Sequence, residues 1–140
     1  VIKLMKNIGS CLCKQVTFEV EKLQGQIGHC HCKMCQKFHG AAFSTFVETK
    51  KEDLTWLSGE ELLKQYRADN ESVRTFCVCC GSSLLFESKY NRNEDTLEVA
   101  LAAFDKLEPV HPDAHIYTES KVDWFDINDD LPEYSQYREK

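Results

Sequence analysis

Eight cysteines stand at positions 11, 13, 30, 32, 35, 77, 79 and 80 of the 140-residue chain, in three tight clusters. Thiols close in sequence bridge one another poorly but converge well on one metal ion, so the pattern argues for metal ligation over a secreted disulfide framework. The first cluster is Gly9-Ser10-Cys11-Leu12-Cys13. On a strand, side chains two apart share a face, so Cys11 and Cys13 reach one ion while Leu12 turns away, and Gly9 eases bending toward it. The third cluster, Cys77-Val78-Cys79-Cys80-Gly81, has the C-x-x-C spacing of a zinc knuckle in Cys77 and Cys80. Gly81 follows, where a positive φ turns backbone amides toward sulfur. Cys77 with Cys79 is the alternative pair; the position of the glycine favours Cys77 and Cys80 and leaves Cys79 a free thiol. Cys11, Cys13, Cys77 and Cys80 then make a closed four-thiolate zinc site, a structural clamp between the N-terminal strand and the middle of the chain.

The second cluster is His29-Cys30-His31-Cys32-Lys33-Met34-Cys35. Cys30, Cys32 and Cys35 give three thiolates on a short curved segment. Three protein ligands on zinc leave a fourth position for water or substrate, where a thiol binds as thiolate or a carbonyl is polarised. Alternatively His31, His29, His39 or Cys79 closes the tetrahedron. The five histidines, at 29, 31, 39, 111 and 115, each read first as surface or hydrogen-bonded residues. Trp56, Phe86, Trp124 and Phe125 read as core, and the acidic stretch 123–133 as a solvated face. No G-x-G-x-x-G, Walker A or H-E-x-x-H motif is present, so nucleotide and metalloprotease chemistry lacks support.

The elements that must position these thiols are short. Gln15 to Val20 alternates, with Val16, Phe18 and Val20 on one face, as a half-buried strand does. Phe43–Glu48, Leu54–Leu57, Ser83–Glu87, Thr96–Leu101 and His115–Thr118 read as further strands. Turn signals fall at Gly25 and Gly28, Ser58-Gly59, Asp69-Asn70 and Asn91 to Asp95. Cys32 to His39 reads as one or two helical turns with Lys33, Gln36 and Lys37 facing water. Glu60 to Tyr66 is a helix by propensity or a strand by its place after a turn. The expectation is a mainly antiparallel β domain with little helix. With no repeat or linker, residues 1–140 read as a single domain.

Lys and Arg number 17 and Asp and Glu 23, a formal net charge of −6, which disfavours a nonspecific nucleic-acid binder. No apolar run approaches the ~18 residues of a membrane span, and Val1 to Ser10 lacks the apolar core of a secretory signal. Unpaired thiolates fit a reducing cytosol, so the expected location is cytoplasmic.

Gly9-Ser10-Cys11-Leu12-Cys13 before an alternating strand, then Cys30-His31-Cys32-Lys33-Met34-Cys35, then Phe76-Cys77-Val78-Cys79-Cys80-Gly81-Ser82 resembles the glutathione-dependent formaldehyde-activating enzyme (Gfa) family. The likeness continues through Trp56-Leu57-Ser58-Gly59, Leu84 to Glu87, Ala114-His115-Ile116, Ser120 to Phe125 and Asp130-Leu131-Pro132. The resemblance implies an Mss4-like fold of antiparallel sheets around a structural zinc on Cys11, Cys13, Cys77 and Cys80. It implies a second, catalytic zinc on Cys30, Cys32 and Cys35, so two Zn²⁺ per chain, the second labile. The implied activity is a carbon–sulfur lyase joining formaldehyde to glutathione as S-hydroxymethylglutathione. Its partners are then a small-molecule thiol and aldehyde, with no nucleic acid or membrane, the protein acting as monomer or homodimer. Anionic glutathione calls for a local basic patch, for which Lys33, Lys37, Arg74 and Lys121 are the candidates. The competing readings are a non-catalytic Mss4-like zinc-binding module, which would not need the second cysteine group, and a redox protein using Cys32 and Cys35, which lacks the Trp-Cys-Gly-Pro-Cys context.

Overall fold

The computed structural model describes residues 6–138; the first half of the Val1 to Ser10 segment read above lies outside them. Its strands and helices are β1 (Asn7–Ser10), β2 (Thr17–Val20), β3 (Ile27–Cys30), α1 (Lys33–His39), β4 (Ser44–Lys50), β5 (Leu54–Ser58), β6 (Leu63–Arg67), β7 (Val73–Cys77), β8 (Ser83–Glu87), α2 (Lys89–Glu94), β9 (Thr96–Ala100), β10 (Phe104–Lys106) and β11 (Ala114–Ile116). The protein is mainly β, as the alternating segments predict. The chain forms two compact units. One comprises the described residues up to Gly25 with Val47–Val110, the other Gln26–Phe46 with the described residues from His111 onward.

In the first unit, β10, β1, β2 and β5 form an antiparallel sheet in that order, and β9, β8, β7 and β6 follow one another in a second sheet. β1 pairs with β2 from Asn7 opposite Val20 to Ser10 opposite Thr17. Val16, Phe18 and Val20 are fully buried, the face that the alternation assigned. Phe18 meets Trp56 and Phe104 edge to face at 5.8 and 5.4 Å. Gly9 lies under this ring: a Cβ there would collide with Phe18 and the Ala103 carbonyl. Its role is thus to admit an aromatic ring rather than to bend the chain toward an ion.

One open alternative resolves as strand, and two local expectations change. Glu60 to Leu62 makes one 3-10 turn and then β6 runs as a strand, paired with β7 from Leu63 opposite Cys77. Asn91 to Asp95, read as a turn, closes α2. Ser88 and Asn91 form a reciprocal capping box and Asp95 ends the helix in the left-handed region at φ 57°, so capping chemistry outweighs the turn-forming composition. Trp124 is 75% exposed and not core, while Trp56, Phe86 and Phe125 are half-buried.

In the second unit, β11 lies parallel to β3, an exception to the antiparallel pattern, with Ala114, His115 and Ile116 opposite Gly28, His29 and Cys30. α1 follows β3 after two residues. Cys32 caps it, and Gly40 ends it in the left-handed region at φ 59°. No helix among the described residues is long and apolar enough to cross a membrane.

Candidate metal centres

Cys11, Cys13, Cys77 and Cys80 converge in the first unit, their sulfurs all within 4.8 Å of one another. Cys11 and Cys13 sit on a turn between β1 and β2, not on a strand. The Cys11 amide bonds the Val16 carbonyl at 3.0 Å, the Lys14 amide bonds the Cys11 carbonyl at 3.1 Å, and Lys14 is left-handed at φ 67°. Leu12 nonetheless points away, 80% exposed. The second turn joins β7 to β8. Gly81 adopts φ 77°, as its position predicts, and its amide bonds the Cys77 carbonyl at 2.7 Å. The Leu12 amide bonds the Ser82 hydroxyl at 2.9 Å, joining the two turns. Cys79 is exposed and outside the group.

The electrostatics of this group fit a cation. The Ser82 hydroxyl, 3.2 Å from the Cys80 sulfur, and then the Cys13 and Ser82 amides hold that thiol down to about 5. Burial, and to a lesser degree Cys80, push Cys11 up, but the Val16 amide and the Cys13 and Cys77 thiols bring it below its ordinary value. The Gln15 amide favours the Cys13 thiolate, yet burial and the other three thiols raise it to about 11. Burial, chiefly, raises Cys77 despite the Cys80 and Cys79 amides directed at its sulfur. Four thiolates this close repel, and a dication removes the repulsion.

Cys30, Cys32 and Cys35 converge in the second unit. Cys30 ends β3, Cys32 caps α1 with its sulfur accepting from the Cys35 amide at 3.3 Å, and Cys35 is buried in the first helical turn. The thiols of Cys32 and Cys35, then burial, push Cys30 far up. Cys30 favours ionisation of Cys32, but Cys35 and burial outweigh it and the net shift is upward. Among the described residues none of the histidines joins this group, nor does Cys79. The donor set is three thiols.

The histidines instead form an array that the sequence did not disclose. His31 Nε2 and His115 Nδ1 are 2.8 Å apart, and His115 Nε2 lies 2.9 Å from Asp129. His31 and His115 are 0% and 2% exposed. His29 Nδ1 meets the Thr45 hydroxyl at 2.7 Å, and Phe43 lies against both His29 and His31. Burial, then His115, lowers His29, and burial with His115 and His29 lowers His31 to about 4. The hydrogen bond from His115 lowers Asp129, so this member of the acidic stretch is no mere solvated face. The partner that meets His31, His115, lies 84 residues away, a pairing that no local spacing reveals.

Two other side chains depart from expectation. Gln36 does not face water: its amide donates to the carbonyls of His31 at 2.6 Å and Ser120 at 2.9 Å. Arg74 is buried on β7 with its guanidinium 4.8 Å from the centre of the Phe86 ring, so it offers nothing to an anionic ligand. Lys33 and Lys37 are exposed, and Lys121 bonds the carbonyls of Val122 and Phe125.

Both cysteine groups lie within residues 6–120, which match the model of the glutathione-dependent formaldehyde-activating enzyme family. The chain belongs to this family. A Schizosaccharomyces pombe protein described as an uncharacterized lyase is 27% identical over 119 residues, 85% of this chain and 83% of that protein. A crystal structure of a Rhodobacter sphaeroides protein matches with a TM-score of 0.59 and 28% identity, covering 75% of this chain and 91% of the other. Gfa membership and the lyase relative support an enzyme, and the two thiol groups could each hold a metal ion.

Proposed function

We propose that the protein is a zinc-dependent carbon–sulfur lyase that joins formaldehyde to a thiol such as glutathione as an S-hydroxymethyl adduct. The observation that carries this reading is the group of Cys30, Cys32 and Cys35, three sulfurs brought together with no fourth His, Cys, Asp or Glu donor among the described residues. Cys11, Cys13, Cys77 and Cys80 would hold a structural zinc. A tetrahedral site with Zn–S bonds of ~2.3 Å spaces its sulfurs by about 3.8 Å. Cys11 lies 3.5 Å from Cys13, and Cys13 lies 3.9 Å from Cys77, which supports that assignment. A second zinc on Cys30, Cys32 and Cys35 would stabilise a substrate thiolate or polarise a carbonyl through its vacant position. Lys33 and Lys37, exposed on the helix that carries Cys35, are the cations of this unit that would meet the carboxylates of glutathione. The family match runs through both compact units, which supports a single Mss4-like Gfa domain. Eight free thiols support a reducing, cytoplasmic setting.

The test is exchange NMR on zinc-loaded protein with ¹³C-formaldehyde and a panel of thiols. Faster exchange between free and S-hydroxymethyl forms with at least one thiol is the expected result. No acceleration with any thiol, in protein carrying two zinc ions, would return the chain to the non-catalytic class.

A further inference from the structure

We propose that Tyr117 is a catalytic hydrogen-bond donor beside the three-cysteine group, presenting its hydroxyl to the aldehyde oxygen as the carbon–sulfur bond forms. This deepens the reading of the protein as a thiol–aldehyde lyase and rests on it.

The placement comes from strand register. Ile116 stands opposite Cys30 in the parallel pair of β11 and β3, and its carbonyl accepts the His31 amide at 2.9 Å. The next residue along β11 is Tyr117, level with the link from Cys30 to Cys32. There the backbone turns left-handed, φ 56° and ψ 38°, a conformation that glycine adopts freely and bulky residues rarely do. A turn alone would be served by glycine, so the strained aromatic points to a use for its side chain. The left-handed residue also ends strand alternation, which would have placed Tyr117 on the face of His115. The half-buried phenol instead feels Cys30, Cys32 and Cys35 electrostatically. Burial first, and then those three sulfurs, raise its ionisation above the ordinary tyrosine value.

Its surroundings are braced. The Tyr117 amide bonds the Gln136 carbonyl at 3.0 Å, and the Ser120 amide bonds the Tyr117 carbonyl at 3.1 Å. Gln36, next to Cys35, holds the carbonyls of His31 and Ser120 together. The segments bearing Cys30, Cys35 and Tyr117 are thereby tied to one another, the preorganisation that a reacting site needs. Of the neighbouring side chains, His31 Nε2 faces His115, and the Lys121 ammonium bonds two carbonyls.

The step balances without a further reactant. A thiolate lone pair forms the C–S bond, the C=O π pair moves onto oxygen, and that oxygen takes the phenolic proton. Tyr117 recovers a proton from water, equal to the one the thiol released on ionising.

The experiment compares zinc-loaded wild type with Tyr117→Phe and Tyr117→Gly. Both variants should keep two zinc ions, and calorimetry should find glutathione binding within twofold of wild type. Both should lose about 100-fold in kcat, the scale of a lost proton donor or oxyanion donor, with KM for glutathione little changed. Tyr117→Gly relieves the strain, so an equal loss there separates chemistry from folding. In ¹³C-tyrosine-labelled wild type, the Tyr117 Cζ resonance should move when formaldehyde and glutathione are added. Wild-type turnover by Tyr117→Phe, or an unmoved Cζ resonance, overturns the role of Tyr117 and leaves the lyase reading intact. Inactive wild type with every thiol overturns both.

Discussion

Replacing Cys11 with serine should unfold the protein, whereas replacing Cys32 with serine should not. Cys11 is 1% exposed, its sulfur lies 3.5 Å from Cys13 and it accepts the Val16 amide at 3.3 Å. A four-thiolate zinc site contributes on the order of 10 kcal/mol to the folded state, as much as the whole net stability of a domain. The group also closes a long loop, since Cys13 and Cys77 are 64 residues apart. Cys30, Cys32 and Cys35 span only six residues. At ~0.6 kcal/mol per doubling of loop length, the long loop is worth about 2 kcal/mol more in closure entropy. On the two-zinc reading, loss of the tetrad would therefore remove both the metal energy and the long-range restraint. Loss of the triplet would remove an ion that few distant contacts depend on.

The assay is thermal melting followed by far-UV circular dichroism, with zinc per chain measured by atomic absorption. Cys11→Ser should show no cooperative transition at room temperature and above. Cys32→Ser should melt near the wild-type temperature and retain about one zinc, without lyase activity. A Cys11→Ser protein with wild-type melting and full zinc would refute the four-cysteine assignment. An unfolded Cys32→Ser protein would refute the argument from loop length.

Cys79→Ser should leave zinc content and melting unchanged, because Cys79 is exposed and outside both thiol groups; loss of an ion would show that a ligand had been misassigned. In ¹⁵N NMR, His31 should titrate at about 4 rather than near 6.5, with burial the main cause. The unfolded chain then takes up the proton first, so the stabilisation is whole above about pH 6.5 and is lost as pH falls toward 4; an ordinary midpoint would contradict the buried placement. Gly59→Ala should destabilise by about 2 kcal/mol, since Gly59 holds φ 76° and a Cβ would strike the Gln15 backbone. Unchanged chemical denaturation would show that the β5 turn relaxes freely.

The parts legible in the sequence are those fixed by local spacing. Alternation over Gln15 to Val20 found β2, which buries Phe18 and Val20 on one side; β-favouring composition found Ser83–Glu87, and Gly81 marked a left-handed turn at the second knuckle. Cys32 to His39 was legible as one or two helical turns; the structure adds that the Cys32 sulfur caps the helix and Gly40 stops it. Trp124 failed because aromatic character does not say which face of a loop meets water. Gln36 and Arg74 failed for a related reason: a polar side chain is assigned to solvent until a distant carbonyl or ring claims it. The His31–His115–Asp129 chain depends on the register between β3 and β11, and Tyr117 on a backbone angle that composition does not reveal in a tyrosine.

The two thiol groups achieve rigidity by opposite means. The tetrad draws on two turns far apart in sequence, each containing a left-handed residue, Lys14 in one and Gly81 in the other. A closed metal site suits that arrangement, because the ion itself supplies the restraint that sequence distance denies. The triplet consists of a strand end, a helix cap and the first helical turn, so proximity is given by the chain and no ion is needed to gather it. Its rigidity comes from hydrogen bonds around it: the Cys35 amide on the Cys32 sulfur, Gln36 on His31 and Ser120, and the buried His31–His115 pair that ends on exposed Asp129. A site held in shape by its surroundings can leave a coordination position free without loosening. On the lyase reading, three thiols backed by such a brace, and not four clamped across the chain, would therefore accommodate a substrate sulfur.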